Sequence, residues 1–107
     1  MKEATVAEFI DVLREEELPP GRGTSVTVVG RDIALFNVDG SIYAMEDSCL
    51  HQAQSLGTSQ LAGKIVTCRG HGWRYDVTTG STLQVRGYGV TTFPVRIVNG
   101  VVQVAVR

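Results

Sequence analysis

The chain has 107 residues, 43% of them hydrophobic and 20% charged, with a formal net charge of −1. That is the make-up of one soluble globular domain, spanning 1–107, with a modest core of its own and no room for a second catalytic unit. It carries no basic run or basic-aromatic face, which argues against nucleic acid as a partner; no apolar stretch approaches a membrane span or a signal sequence, so the cytoplasm is the expected compartment.

From the amino terminus, Val6, Phe9, Ile10 and Leu13 fall on a helical stripe with an acidic tail, so periodicity alone favours a helix within Thr5 to Glu17. Beyond it the pattern is β-rich. Ser25 to Val29, Ile33 to Val38 and Ser41 to Ala44 are short β-branched or aromatic runs, joined by Gly30-Arg31-Asp32 and by Asp39-Gly40, a strong two-residue hairpin signal. They read as a meander. Ile65 to Cys68 and Trp73 to Val77 are further strands, and Thr92 to Val98 with Val101 to Val106 forms a closing hairpin around Asn99-Gly100.

Every cysteine and histidine lies in one of two cassettes, Cys49-Leu50-His51 and Cys68-Arg69-Gly70-His71. The two cysteines alone are compatible with a disulfide or with two buried apolar side chains, but neither accounts for the matched histidines. A Cys2His2 zinc site uses the same residue types, usually as a Cys-Cys knuckle followed by a His-His pair rather than one of each per loop. One thiolate and one imidazole per loop suits a diiron cluster in which two cysteines hold one iron and two histidines the other.

That pairing resembles a Rieske [2Fe-2S] site, and the surroundings extend the likeness. Residues 49 to 56, CLHQAQSL, resemble the first Rieske loop, and Cys68 to Gly80, CRGHGWRYDVTTG, resemble the second; sixteen residues separate His51 from Cys68. The lead-in Ile42-Tyr43-Ala44, Phe93-Pro94-Val95 and the Asn99-Gly100 turn also sit where Rieske-type ferredoxins carry similar elements. The resemblance implies an all-β, antiparallel sandwich with a small cluster-binding part at about 45–85. It implies one [2Fe-2S] cluster per chain, with Cys49, His51, Cys68 and His71 as ligands, and no catalysis of its own. Electrons would come from a flavoprotein reductase and go to a terminal oxygenase, either a ring-hydroxylating dioxygenase or a diiron monooxygenase. A monomer is expected, since a shuttle must meet two partners through one exposed tip. Competing readings are a small subunit of the nitrite-reductase type, a subunit of a larger oxidoreductase, and a zinc-binding interaction module.

The same comparison implies a strand around Phe9 to Leu13 and a tight turn through Glu15 to Leu18, against the helical stripe. Gln54 and Gly70 occupy the positions at which membrane-anchored relatives carry a loop disulfide, and Trp73 stands where high-potential relatives place a serine. Both departures point to a potential near the lower end of the roughly −150 to +300 mV Rieske range. Tyr75 is placed to donate to a ligand sulfur or simply to pack. Trp73 is either an exposed aromatic for docking or a core residue. Gly70 and Gly72 flank His71, where small residues either let backbone amides approach sulfur or simply form an ordinary turn. Arg69, Arg74 and Arg86 form a positive rim or three solvated side chains of little consequence. Val85 to Gly89 replaces the proline-bearing loop that usually covers the cluster, and its path is open.

Overall fold

The computed structural model describes residues 8–50, 54–70 and 72–106. Among the described residues, ten strands build three antiparallel sheets, with a single 3-10 turn at Glu15–Glu17. One sheet runs β1 (Phe9–Arg14), β10 (Val101–Ala105), β9 (Val95–Val98). The second runs β2 (Gly23–Val28), β3 (Arg31–Val38), β4 (Ser41–Glu46), β8 (Thr92–Phe93). A small third sheet holds β5 (Gln60–Ala62), β6 (Ile65–Thr67) and β7 (Arg74–Asp76). Among the described residues no helix is long and apolar enough to cross a membrane.

The run Ile33-Ala34-Leu35-Phe36 in β3 explains the layering. Successive side chains of a strand point to opposite faces, so an unbroken apolar run must be covered on both sides. Ile33 and Leu35 pack with Val102, Val104 and Leu18 on the side of the first sheet. Ala34 and Phe36 pack with Val66, Tyr75, Val77, Cys49 and Cys68 on the side of the third. Each fully buried large side chain stabilises the fold by about 1.5–3 kcal/mol relative to exposure. The second core is the one that contains both cysteines, so the packing that stabilises the fold also positions the sulfurs.

The strand at Phe9 to Leu13 and the turn after it are present, and the helix that periodicity favoured is not. Edge pairing with β10 decides this, with Ile10 opposite Val104 and Leu13 opposite Val102, two core residues. Asp39-Gly40 and Asn99-Gly100 are tight turns with positive φ at all four residues, as the mirror-image turns of two-residue hairpins require.

Three expectations need correction. The first hairpin turns at Val29-Gly30, not at Gly30-Arg31-Asp32, because β3 begins at Arg31 and Asp32 is paired opposite Thr27, whose hydroxyl donates to its carboxylate at 2.9 Å. The arm from Thr92 to Val98 is not one strand: Thr92–Phe93 pairs with β4 and Val95–Val98 with β10. Between them Pro94 has no N–H to give to either ladder, while its carbonyl accepts the Ala105 amide at 3.0 Å. Finally, β5 had no counterpart among the expected strands.

Val29 adopts φ 50° with its side chain 56% exposed. A β-branched residue in the left-handed region carries roughly 1–2 kcal/mol of strain, whereas Asn-Gly suits such a turn. Val29→Asn is therefore expected to stabilise the fold by about 1 kcal/mol and raise the melting temperature by about 4–8 °C, as measured by calorimetry.

Candidate metal centre

The two cassettes leave the sandwich from different sheets and return to one place. The first begins after β4, where an isolated bridge pairs Ser48 with Ser55 and the Cys49 amide donates to the Gln54 carbonyl at 3.1 Å. The second joins β6 to β7. There the Cys68 amide donates to Trp73 O at 2.7 Å and the Gly72 amide to Cys68 O at 3.1 Å. Neither cysteine is in a disulfide, and both are buried in the same core. His51 and His71, the other half of the expected donor set, lie outside the described residues.

Tyr75 links the loops. Fully buried on β7, it places its phenol oxygen 3.2 Å from Cys49 Sγ and 2.7 Å from the Leu50 amide. The amide can only donate, so the oxygen accepts from Leu50 and its one hydrogen is left for the sulfur. Burial, followed by the bond to Cys49 and the negative charge of both cysteines, pushes the phenol above its ordinary pKa. It therefore remains a neutral donor, and both sulfurs act on it. Both roles foreseen for Tyr75 have a structural counterpart: its ring packs in the core and its phenol oxygen lies within hydrogen-bond distance of a cysteine sulfur.

Other expected residues divide between framework and surface. The Arg69 guanidinium donates to Thr58 O and its amide to Ser59 Oγ at 3.4 Å, so Arg69 ties the second loop to the segment that follows the first. Its charge remains at the surface with those of Arg74 and Arg86. Gly70, the next residue, is half-buried. Trp73 is half-buried against the core, nearer the packing role than that of an open aromatic. The Val85 to Gly89 segment folds back on itself: the Thr82 amide donates to Tyr88 O at 2.9 Å and Ser81 bridges Gly89. That path leaves Leu83, Val85 and Tyr88 exposed.

Beyond the second cassette, Asp76 closes the turn into Gly80. Burial alone would raise its pKa, but the Thr78 hydroxyl at 2.6 Å, the Thr78 amide at 2.9 Å and Lys64 at 3.3 Å outweigh it and hold the carboxyl below its ordinary value. The folded state thus binds this proton less tightly than the unfolded chain, so its stabilisation is present at neutral pH and lost as pH falls through the folded-state pKa. Asp76→Asn is expected to cost about 1 kcal/mol at pH 7, and the gap from wild type should close below about pH 3.9 in denaturant titrations.

One residue had no place in the sequence reading. Asp47, two positions before Cys49, is a buried carboxylate whose partners come from β2 and from the far limb of the loop. No local pattern marks it, because one of those partners lies 22 residues away.

An antiparallel sandwich that brings two buried sulfurs together on adjoining loops, one of them facing a phenol donor, defines a β domain built to hold a metal centre. Residues 8–94 match the Rieske [2Fe-2S] domain. The ferredoxin component of the naphthalene 1,2-dioxygenase system of Pseudomonas aeruginosa is 36% identical over 91 residues, which cover 84% of this chain and 88% of that protein. Among solved structures, the complex of reduced oxygenase and oxidised ferredoxin in carbazole 1,9a-dioxygenase contains a chain 30% identical, with TM-score 0.83 and coverage of 91% and 92%. The ferredoxin of Sphingomonas yanoikuyae B1 shares the fold at 24% identity, with TM-score 0.85 over 94% of this chain and 100% of that one. The chain belongs to the Rieske [2Fe-2S] domain family, and its cofactor is a [2Fe-2S] cluster.

Proposed function

We propose that this protein is a one-electron carrier, reduced by a flavoprotein reductase and oxidised by a terminal oxygenase, with no catalysis of its own. Cys49 and Cys68 hold one iron of the cluster and His51 and His71 the other. The observation that carries this reading is the convergence of both cysteines on Tyr75 inside one core. The residues fit the cofactor in kind, since two sulfurs kept out of any disulfide on loops held by backbone bonds are ready donors. The relatives named as ferredoxin components of dioxygenase systems support the choice of partners.

When bound, the cluster supplies a one-electron couple at a potential raised by its two neutral nitrogen donors. The chain's own residues set the conditions. The Tyr75 hydroxyl donates to the Cys49 sulfur, a bond that strengthens as negative charge accumulates there. The apolar core around Cys49 and Cys68 excludes water from the sulfur side. Leu50 is exposed on the first loop, and Arg69, Arg74 and Arg86 are exposed in and after the second. Between Ser48 and Val90 the single carboxylate is Asp76, paired with Lys64, whereas Asp32 and Glu46 line a pocket together with Cys49 and Leu50. The exposed arginines would attract an acidic partner surface, with a rate that falls as salt rises. A monomer in the cytoplasm suits this task.

Anaerobically purified protein is expected to contain two irons and two inorganic sulfides per chain and to give a rhombic, low-g EPR signal after dithionite. A colourless protein holding zinc instead would overturn the proposal.

A further inference from the structure

We propose that Asp47 is a positioning residue for the cluster: its buried carboxylate clasps the first ligand loop to β2 and so holds the Cys49 sulfur where the iron needs it. The inference rests on the reading of Cys49 as a ligand.

Five hydrogen bonds meet at Asp47. One carboxylate oxygen accepts the Gly57 amide at 2.8 Å and the Ser55 hydroxyl at 3.1 Å, both on the return limb of the loop. The other oxygen accepts the Ser25 hydroxyl at 2.8 Å, on β2. Its own amide donates to Asp32 O on β3 at 3.1 Å, and its carbonyl accepts the Leu56 amide at 2.7 Å. Outgoing limb, return limb and two strands of the middle sheet are therefore joined at one residue, two positions before Cys49.

The return limb also lies directly on β2. A Cβ at Gly57 would stand 2.3 Å from Thr24 O, so only glycine fits there. Burying a carboxylate is costly unless its lone pairs are used, and here three donors use them. An apolar residue would serve if filling space were the only requirement. What the carboxylate adds is a fixed distance between β2 and both limbs of the loop, and hence a fixed position for Cys49 at the edge of the loop and the core.

The test uses the cluster-loaded protein. Cluster release to an iron chelator is followed by loss of visible absorption, together with the EPR spectrum of the reduced form and the thermal midpoint. Outer-shell partners of metal ligands are typically worth 10–100-fold in metal affinity, so Asp47→Ala should release the cluster at least about tenfold faster and broaden the EPR features. Asp47→Asn keeps an acceptor for Gly57 and Ser55 and should restore the wild-type spectrum. Ser25→Ala, which severs only the tie to β2, should fall between wild type and Asp47→Ala in release rate. Wild-type release and an unchanged spectrum in Asp47→Ala would overturn the proposal, as would Asp47→Asn behaving like Asp47→Ala. If Asp47→Ala does not fold, Ser25→Ala decides alone, and wild-type release there counts against the clasp. A wild-type protein that takes up no cluster would sink the ligand reading instead.

Discussion

Replacing His71 by cysteine is expected to lower the reduction potential of the loaded protein by roughly half the gap between Rieske centres and all-cysteine plant-type ferredoxins, that is by about 125–350 mV. The argument is one of charge. A neutral imidazole becomes a thiolate, so the centre carries one more negative charge in both oxidation states, and adding an electron works against it. The cluster is retained, because thiolate is a good ligand for iron and the second loop keeps its backbone bonds from Trp73 O to the Cys68 amide and from Cys68 O to the Gly72 amide. Spectroelectrochemical titration of wild type and variant checks this. An unchanged potential with an unchanged visible spectrum removes His71 from the ligand set, while complete loss of iron shows that the site tolerates no fourth-ligand change.

Much of this was legible in the chain because the informative residues act locally. Asp39-Gly40 and Asn99-Gly100 announce their turns through residues that tolerate positive φ, and the structure turns at both. The strand at Phe9 to Leu13 was legible only by resemblance: its apolar spacing fits a helix, and pairing with β10, almost a whole chain length away, overrides that pattern. Val29 carries no turn signal at all; its conformation is imposed by the register of β2 on β3, which is why the first turn was placed too late. Gln60-Leu61-Ala62 is too short and too poor in β-branched residues to read as a strand, and pairing with β6 makes it one. At the site, the expectation that Cys49, His51, Cys68 and His71 are the ligands came from the resemblance of the two cassettes to Rieske loops, whereas the loop supports had no such signal. Asp47 and Arg69 work through partners on other elements, and such contacts exist only once the sheets are assembled.

Tyr75 joins the core and the cofactor, and its substitutions separate those two contributions. Tyr75→Ala removes a fully buried aromatic ring from the core that holds both cysteines and is expected to cost about 3–5 kcal/mol, more than half the stability of a marginal domain. Tyr75→Phe keeps the ring and deletes one oxygen. The Leu50 amide then loses its partner at the edge of the loop, where Leu50 is exposed and water can replace the phenol, so the stability cost is about 1 kcal/mol. The effect on potential is separate. The phenol donates to Cys49 Sγ at 3.2 Å, and that bond favours the reduced, more negative state, so its deletion lowers the potential. If the two oxidation states differ by about 1 kcal/mol in the strength of this bond, the drop is roughly 40 mV, because a tenfold change in a one-electron equilibrium corresponds to 59 mV. Chemical denaturation of the apo-protein measures the first effect, and redox titration of the loaded protein measures the second. A Phe variant with wild-type potential would mean that Tyr75 shapes the core and the loop but does not tune the electron's energy.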